Sequence, residues 1–457
     1  MKRVWIGLCA ACVFALCAAG TVWLVRSQIQ ARGMRRFMVA GPANLVREQA
    51  AARAAGIPLT ASQLQQSLPP ASLNAAPLYV KLTKLLHDRP MHLPKYAVGM
   101  DAFHSYTPAQ IAVVRKILAA RPDVMMLVHQ AADRPQCVFV RDWSQGIDLK
   151  FPEYQTVRES SRLLKTESYL LARAGQYPQA VANQARGFRV AEHAASDHVL
   201  IAYLVGVACE ANTLSGMQSL LTLAGPNAVV DNDVQAKVIA EYSSLSLRDA
   251  MAGEAGFNCT PFAPMHRHEG DGVEAALEAA GFGEGDMQKV QVSDVERQNL
   301  HALIDAWEAD YLTRMRPAVV ASDQPPAVRR AAFALMEEQV TQDSNSSDGS
   351  VHVFSDILLP AHGKIDQHDT RIHAREAVTL AAAALLSAKA TVGTYPDNLL
   401  PGITDPFSGK PLQYRREGAG FVVYSVGPTG HFDGGRPGQK MPGGESLFRY
   451  PAMATGA

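Results

Sequence analysis

Charge and aromatic side chains are both scarce in this chain. Only 19% of its 457 residues are charged and 7% are aromatic. The 43 basic and 43 acidic residues cancel, so no broad positive face is expected. A nucleic-acid binder needs such a face to displace counterions from phosphates, and a nucleic-acid partner is therefore not expected. Cysteine is sparse too. Cys9, Cys12 and Cys17 sit near the N-terminus, while Cys137, Cys209 and Cys259 stand far apart with no C-x-x-C among them. That spacing supports neither a zinc ribbon nor a disulfide framework, and it predicts three separate buried thiols. A G-x-S-x-G elbow, a P-loop and a dinucleotide fingerprint are all missing. No catalytic, cofactor-binding or metal-ligating residue is assigned on these grounds, and no cofactor is expected.

What the chain does have is apolar content of 47% and abundant alanine. Alanine costs least in a helix, so the bulk reads as mainly α. The length exceeds one ordinary core and predicts two or three domains. Lys2-Arg3 precedes an uncharged apolar run from Val4 to Val25, bracketed by Trp5 and Trp23. About 20 apolar residues cross a bilayer core, and a cleaved signal has a shorter apolar region. Ala18-Ala19-Gly20 offers a cleavage site, but apolar Val22-Trp23-Leu24-Val25 follows at once. Residues 1–33 are therefore read as an uncleaved single-pass anchor that meets the membrane through residues 4–25. Arg26, Arg32, Arg35 and Arg36 outnumber Lys2 and Arg3, a bias that places the body in the cytoplasm. Long domains, however, translocate largely regardless of flanking charge.

Residues 34–153 read as a mixed, mostly helical region. Helices are expected over Met34–Ala55, Ala76–His87 and from Thr107-Pro108 to Ala120, where Thr caps and Pro takes the first turn. Arg134–Trp143 looks extended. Residues 154–340 form the clearest helical stretch, with helices over Tyr154–Arg173, Val181–Ala195 and Val199–Ala224. A further helix runs Asn232–Ala252, and Gly253–Gly285 reads as a long connection holding a short helix near Val273–Ala280. Helices at Asp294–Arg316 and Ala327–Val340 complete the region. The turn Gly175-Gln176-Tyr177-Pro178-Gln179-Ala180 between its first two helices is similar to that of tetratricopeptide-type hairpins, so the domain is read as repeat-like, with an irregular bundle as the alternative. Polar residues 341–350 open a linker over 341–368.

Residues 369–435 read as a small α+β domain, a helix followed by an antiparallel hairpin, with a loosely ordered tail over 436–457. The helix leads into Thr394-Tyr395-Pro396-Asp397-Asn398-Leu399 and then Asp405-Pro406-Phe407-Ser408-Gly409-Lys410-Pro411-Leu412-Gln413-Tyr414. Strands Leu412–Arg416 and Phe421–Val426 follow, joined by Glu417-Gly418-Ala419-Gly420, and the last leads into the loop Gly427–Gly435. This order of elements resembles the globular end of type II secretion pseudopilins. The resemblance implies a body outside the cytoplasm, in the periplasm of a bacterium, on a protein anchored in the inner membrane. It also implies that the Gly427–Gly435 loop is a place where calcium binds in that family. Here Asp433 is the one acid between Ser425 and Gly438, whereas calcium wants six to eight oxygens and several charges. The N-terminus carries no Gly-Phe-Thr-Leu-x-Glu motif, so polymerisation as a pilus subunit is not expected.

Three groups of side chains could carry chemistry. His266-Arg267-His268-Glu269 lacks the i, i+4 spacing of H-E-x-x-H and reads as an exposed polar loop. His362, Asp366, His368, Asp369 and His373 are denser, and read as a helix start with Asp near the positive end of the dipole. Asp142 and Asp148 flank Trp143 and read as solvated. The expected function is that of a non-catalytic, membrane-anchored envelope protein mediating protein–protein contacts. The alternatives are a subunit or accessory of secretion or pilus-type machinery, and an envelope hydrolase whose site is assembled from distant residues such as His266, His268 and Glu269.

Overall fold

The computed structural model describes residues 35–242, 245–268, 299–344, 352–359, 362–399, 401–432 and 446–451. The anchor expected over residues 4–25, Cys9, Cys12 and Cys17 lie outside these, as does the short helix expected at 273–280. The described chain is mainly helical and ends in a small antiparallel sheet.

Helix α1 covers residues 35–54 and stops where Gly56 takes a φ of 78°. It lies tightly on α12 (Leu300–Ala321) because Gly41 has no side chain. A Cβ there would sit 2.6 Å from the Ala302 carbonyl oxygen and 2.9 Å from the Ala306 Cβ. Along the same seam Gln49 donates to Glu308 at 2.8 Å and Arg316 pairs with Glu48 at 3.2 Å. Arg248 closes the end of α1 by donating to the Ala55 carbonyl.

Helices α2 (Ala61–Leu64), α3 (Ala76–Asp88), α4 (Pro108–Ala119) and α5 (Pro122–Ala132) follow. α4 begins as expected. Thr107 Oγ1 accepts from the Gln110 backbone at 3.2 Å, and Gln110 Oε1 accepts from the Thr107 backbone at 2.8 Å. Of residues 134–143, 136–142 run without helix and join no sheet, while Trp143 already opens a short 3-10 turn. Gln136 makes an isolated backbone bridge to the chain around Asn74, and beyond it side chains take over: Asn74 exchanges two bonds with Val138, and Gln65 accepts from Arg141.

Helices α6 (Glu153–Arg173), α7 (Tyr177–Ala195) and α8 (Leu200–Ala224) pack on one another. The turn between α6 and α7 is shorter than expected, because Gly175 at φ 77° lets α7 start at Tyr177 with Pro178 in its first turn. α8 is long and apolar enough to cross a membrane, yet most of that stretch is buried among α6, α7, α10 (Leu247–Phe257) and α15 (His362–Val392). A helix apolar all round belongs in a core, and α8 occupies one.

Between these lie α9 (Val229–Tyr242) and α11 (Phe262–His268), then α13 (Pro326–Ser344) and α14 (Val353–Leu358). Three expectations need correction here. The connection expected from Gly253 is helical through α10 and α11, because its glycines serve close packing. A Cβ at Gly253 would lie 1.8 Å from the His198 carbonyl oxygen, and one at Gly256 would lie 2.1 Å from the Pro58 carbonyl oxygen. The linker expected over 341–368 is mostly helix: α13 runs to Ser344 and α15 already starts at His362, with Ile365 and Asp366 buried. The tail expected to be loose holds a strand.

That strand is β3 (Leu447–Tyr450), which pairs antiparallel with β2 (Gly420–Tyr424), itself paired antiparallel with β1 (Gln413–Glu417). The hairpin uses Gly418 at φ 58°. β2 is central and buried throughout. Asp405 anchors the loop before β1. Its buried carboxylate accepts from Phe407 N at 2.9 Å, Ser425 Oγ at 2.9 Å and Val426 N at 2.8 Å.

Three cores result. One joins α1, α8 and α10 to α12, α13 and the start of α15; one joins α3, α4 and α5 to α6 and α7; and one lies between α15 and the sheet. Cys137, Cys209 and Cys259 are buried and unbonded to one another, as the spacing predicted.

Gly253 and Gly175 provide a test. Gly253→Ala forces a backbone contact apart and should cost at least the 1–3 kcal/mol typical of overpacking. Gly175 has nothing within 4 Å, so Gly175→Ala should cost only about 1–2 kcal/mol for left-handed backbone. Urea denaturation of both variants would rank them, and a costlier Gly175→Ala would contradict the packing.

Candidate functional site

The structure draws one of the expected groups into a new constellation. His266 lies on α11, and Asp305 and His301 lie four residues apart on α12, so they share a face of that helix. His266 Nε2 is 3.4 Å from Asp305 Oδ1, and His301 Nδ1 is 3.7 Å from Asp305 Oδ2. The imidazole rings meet edge to face at 4.8 Å, and the three ligand atoms all lie within 4.8 Å of one another. The Asp305 side chain is 10% exposed and that of His301 is 67% exposed, so the group is seated in the protein and open on one side. His268 ends α11, and Glu269 lies outside the described residues. The polar loop expected here is therefore a helix, and His266 points its chemistry at α12 rather than at its sequence neighbours. Two imidazoles and a carboxylate can hold a divalent transition metal or share protons. Beneath them, burial pushes the Glu308 carboxyl up to about 7; the Gln49 amide opposes that shift and the charge of Asp305 adds to it.

The second expected group is divided. Asp366 and Asp369 do not cap a helix start; they lie within α15 and face a buried guanidinium. Arg329 of α13 donates through Nε to Asp366 Oδ1 at 2.6 Å and through Nη2 to Asp369. Tyr203 of α8 donates to the same Asp369 at 2.5 Å. His373 lies 3.6 Å from Asp369 and 3.2 Å from Glu376. Burial opposes a charge on that ring, but the two carboxylates push its pKa up to about 10. His368 is exposed, and His362 sits apart against Phe333, where burial pushes its ring down to about 4. With Arg329 between the carboxylates, this cluster is an ion-pair network rather than a metal site.

The remaining expectations settle quickly. Asp142 and Asp148 are exposed, and Asp142 accepts from Ser144 and Gln145 in its own turn. Of the Gly427–Gly435 loop, Asp433 lies outside the described residues.

Two features had no sequence signal. Lys165 donates to Ser215 Oγ at 2.9 Å and lies 3.7 Å from Asp101; burial pushes its ammonium down to about 8, against the pull of Asp101. A cleft of about 620 Å³ opens between α12 and α13, lined by Arg314, Leu335, Met336, Leu359 and His362, with Asp310 at its edge. Burial alone would raise the Asp310 carboxyl, but His352 and Arg314 hold it below its ordinary range. The pair His301 and Asp305 did carry a signal, the i, i+4 spacing, but its third member lies on another helix. No protein-family model, no curated protein and no solved structure matches the chain.

Arg329→Ala would strand two buried carboxylates, and should destabilise the fold by about 3–5 kcal/mol in urea denaturation. The pH dependence of His373 has a definite sign. Its pKa is raised in the fold from 6.5 to about 10, so its stabilisation is complete below about pH 6.5 and lost as pH rises toward 10. The ring is 39% exposed, so solvent screening trims the effect. His373→Gln should flatten the decline in urea midpoint between about pH 6 and about pH 9; an unchanged slope would assign the decline to other groups.

Proposed function

We propose that this chain is an envelope protein, tethered to the bacterial inner membrane through residues 4–25 with its body in the periplasm, that works through contacts with a protein partner rather than through a reaction of its own. The observation that carries this reading is the α1 seam. The described part of α1 begins at residue 35, shortly beyond the apolar run, and is locked to α12 by Gly41, Gln49 and Glu48. The segment between Val25 and residue 35 can reach about 36 Å at most. A body fastened to α1 is therefore held close to the bilayer, within reach of other envelope components and unable to range far from it. The helical region, with its tetratricopeptide-like turn, would supply one contact surface and the C-terminal module another.

A second reading, an accessory of secretion or pilus-type machinery, is favoured by Asp405. In the pseudopilin-like stretch Asp405-Pro406 precedes the first strand and Ser425-Val426-Gly427 follows the second. Here Asp405 and Ser425 bond to each other, which gives both elements one structural role.

The test is fractionation. The full chain should stay with membranes through an alkaline carbonate wash, and a chain lacking residues 1–33 should be soluble and folded. In-cell crosslinking should then trap a stoichiometric protein partner on the full chain. A full chain found in the soluble fraction would end the tethered reading. Co-purification with secretion components would select the second.

A further inference from the structure

We propose that His266, His301 and Asp305 form a binding site for a divalent transition metal, with zinc the ion their chemistry suits best. This inference does not depend on the membrane reading. It rests on three observations. The donor set of two imidazole nitrogens and one carboxylate oxygen is one that zinc accepts, whereas calcium and magnesium prefer oxygen throughout.

The spacing also fits. Ligand atoms about 2.0–2.1 Å from a tetrahedral zinc stand about 3.3 Å from one another. Here His266 Nε2 stands 3.4 Å from Oδ1 and His301 Nδ1 3.7 Å from Oδ2 of the same carboxylate, and with one ligand atom taken from each residue no separation in the trio exceeds 4.8 Å.

The scaffold, finally, is fixed where it needs to be. Leu300, Leu303 and Ile304 bury the face of α12 that adjoins His301 and Asp305, and Phe262 and Met265 bury α11 in the same core. Three protein ligands leave one coordination position, on the solvent side where His301 lies, for water or a ligand group. The ion would join α11 to α12, the helix on which α1 is seated, and so would brace the part of the body nearest the proposed anchor.

An ordinary pair of His–Asp contacts would give the same coordinates, so the experiment must separate the two. The full-length chain, purified in detergent and stripped with a chelator, is titrated with Zn²⁺ against a chromophoric competitor, and in parallel with Co²⁺. His301→Gln is the main variant, since an exposed side chain can be changed without disturbing the core; His266→Gln and Asp305→Asn accompany it, and circular dichroism checks each fold. The wild-type chain should bind one ion more than His301→Gln, or bind it more than about 100-fold more tightly, beyond the 10–100-fold that a merely supporting residue commands. The Co²⁺ form should show the intense visible bands of a four-coordinate ion, and each variant should lose them. Zn²⁺ should also raise the melting midpoint of the wild-type chain and not that of His301→Gln. Equal stoichiometry and affinity in wild type and His301→Gln, or octahedral Co²⁺ spectra in both, would overturn the proposal.

Discussion

One guanidinium buried between two carboxylates sets the frame of this protein. Arg329 comes from α13, Asp366 and Asp369 from α15, and Tyr203 from α8, so a single charge cluster ties three helices. Such a cluster adds little net stability, because removing the charges from water costs about what their attraction returns. Its effect is on register. Once Asp366 and Asp369 must face Arg329, α15 cannot rotate or slide. Its later turns then have to present Val378, Ala381, Ala382 and Leu385 to the sheet. Gln218, donating to Thr379 at 3.0 Å, continues the same seam between α8 and α15. The C-terminal module is therefore not a bead on a string. Its helix is also a strut of the helical body.

The scarcity of aromatics has a structural counterpart. Helices that meet through large rings keep their axes apart, whereas these approach closely at small residues. A Cβ at Gly187 would lie 2.6 Å from Thr213 Oγ1, and one at Gly206 would lie 3.0 Å from the Ala191 carbonyl oxygen. Gly41 on α1 and Gly253 on α10 repeat the device. Close approach lets many weak contacts add up, and it makes the packing intolerant of added volume. The large rings that are present sit at the crossings, as Tyr203, Phe188 and Tyr311 do in the first core.

This explains which parts of the fold were legible. The stretch from Tyr154 to Arg173 carries its apolar stripe in its own sequence, and the cap at Thr107 is local, so both could be read directly. The second half of α10 could not, because Gly253 and Gly256 speak of a loop unless the carbonyls of His198 and Pro58 are known to lie against them. The start of α15 was hidden for a related reason. His362, Asp366 and Asp369 look like surface residues until Arg329 is placed opposite them. β3 pairs across a long stretch of chain, and its four residues give no pattern by themselves. The candidate site was half legible: His301 and Asp305 announce a shared helix face, and His266 was noticed, but nothing in the sequence places α11 against α12.

The charge pattern bears on chemistry as well as on fold. A catalytic acid or base works by being poised, with its charge only partly compensated and its environment open to a substrate. Several buried charged groups here are matched instead. Arg141 is held by Asp197 and Glu153, and Arg329 by Asp366 and Asp369. Matched pairs of this kind hold helices in place. His266, His301 and Asp305 differ, since the carboxylate is nearly enclosed while one imidazole stands in solvent. An asymmetric group of that sort suits an incoming ion better than it suits a helix crossing. It also lies where an ion could stiffen the seam between α11 and α12 without touching the network around Arg329. The register of α15 and the proposed ion site thus fall to separate sets of residues.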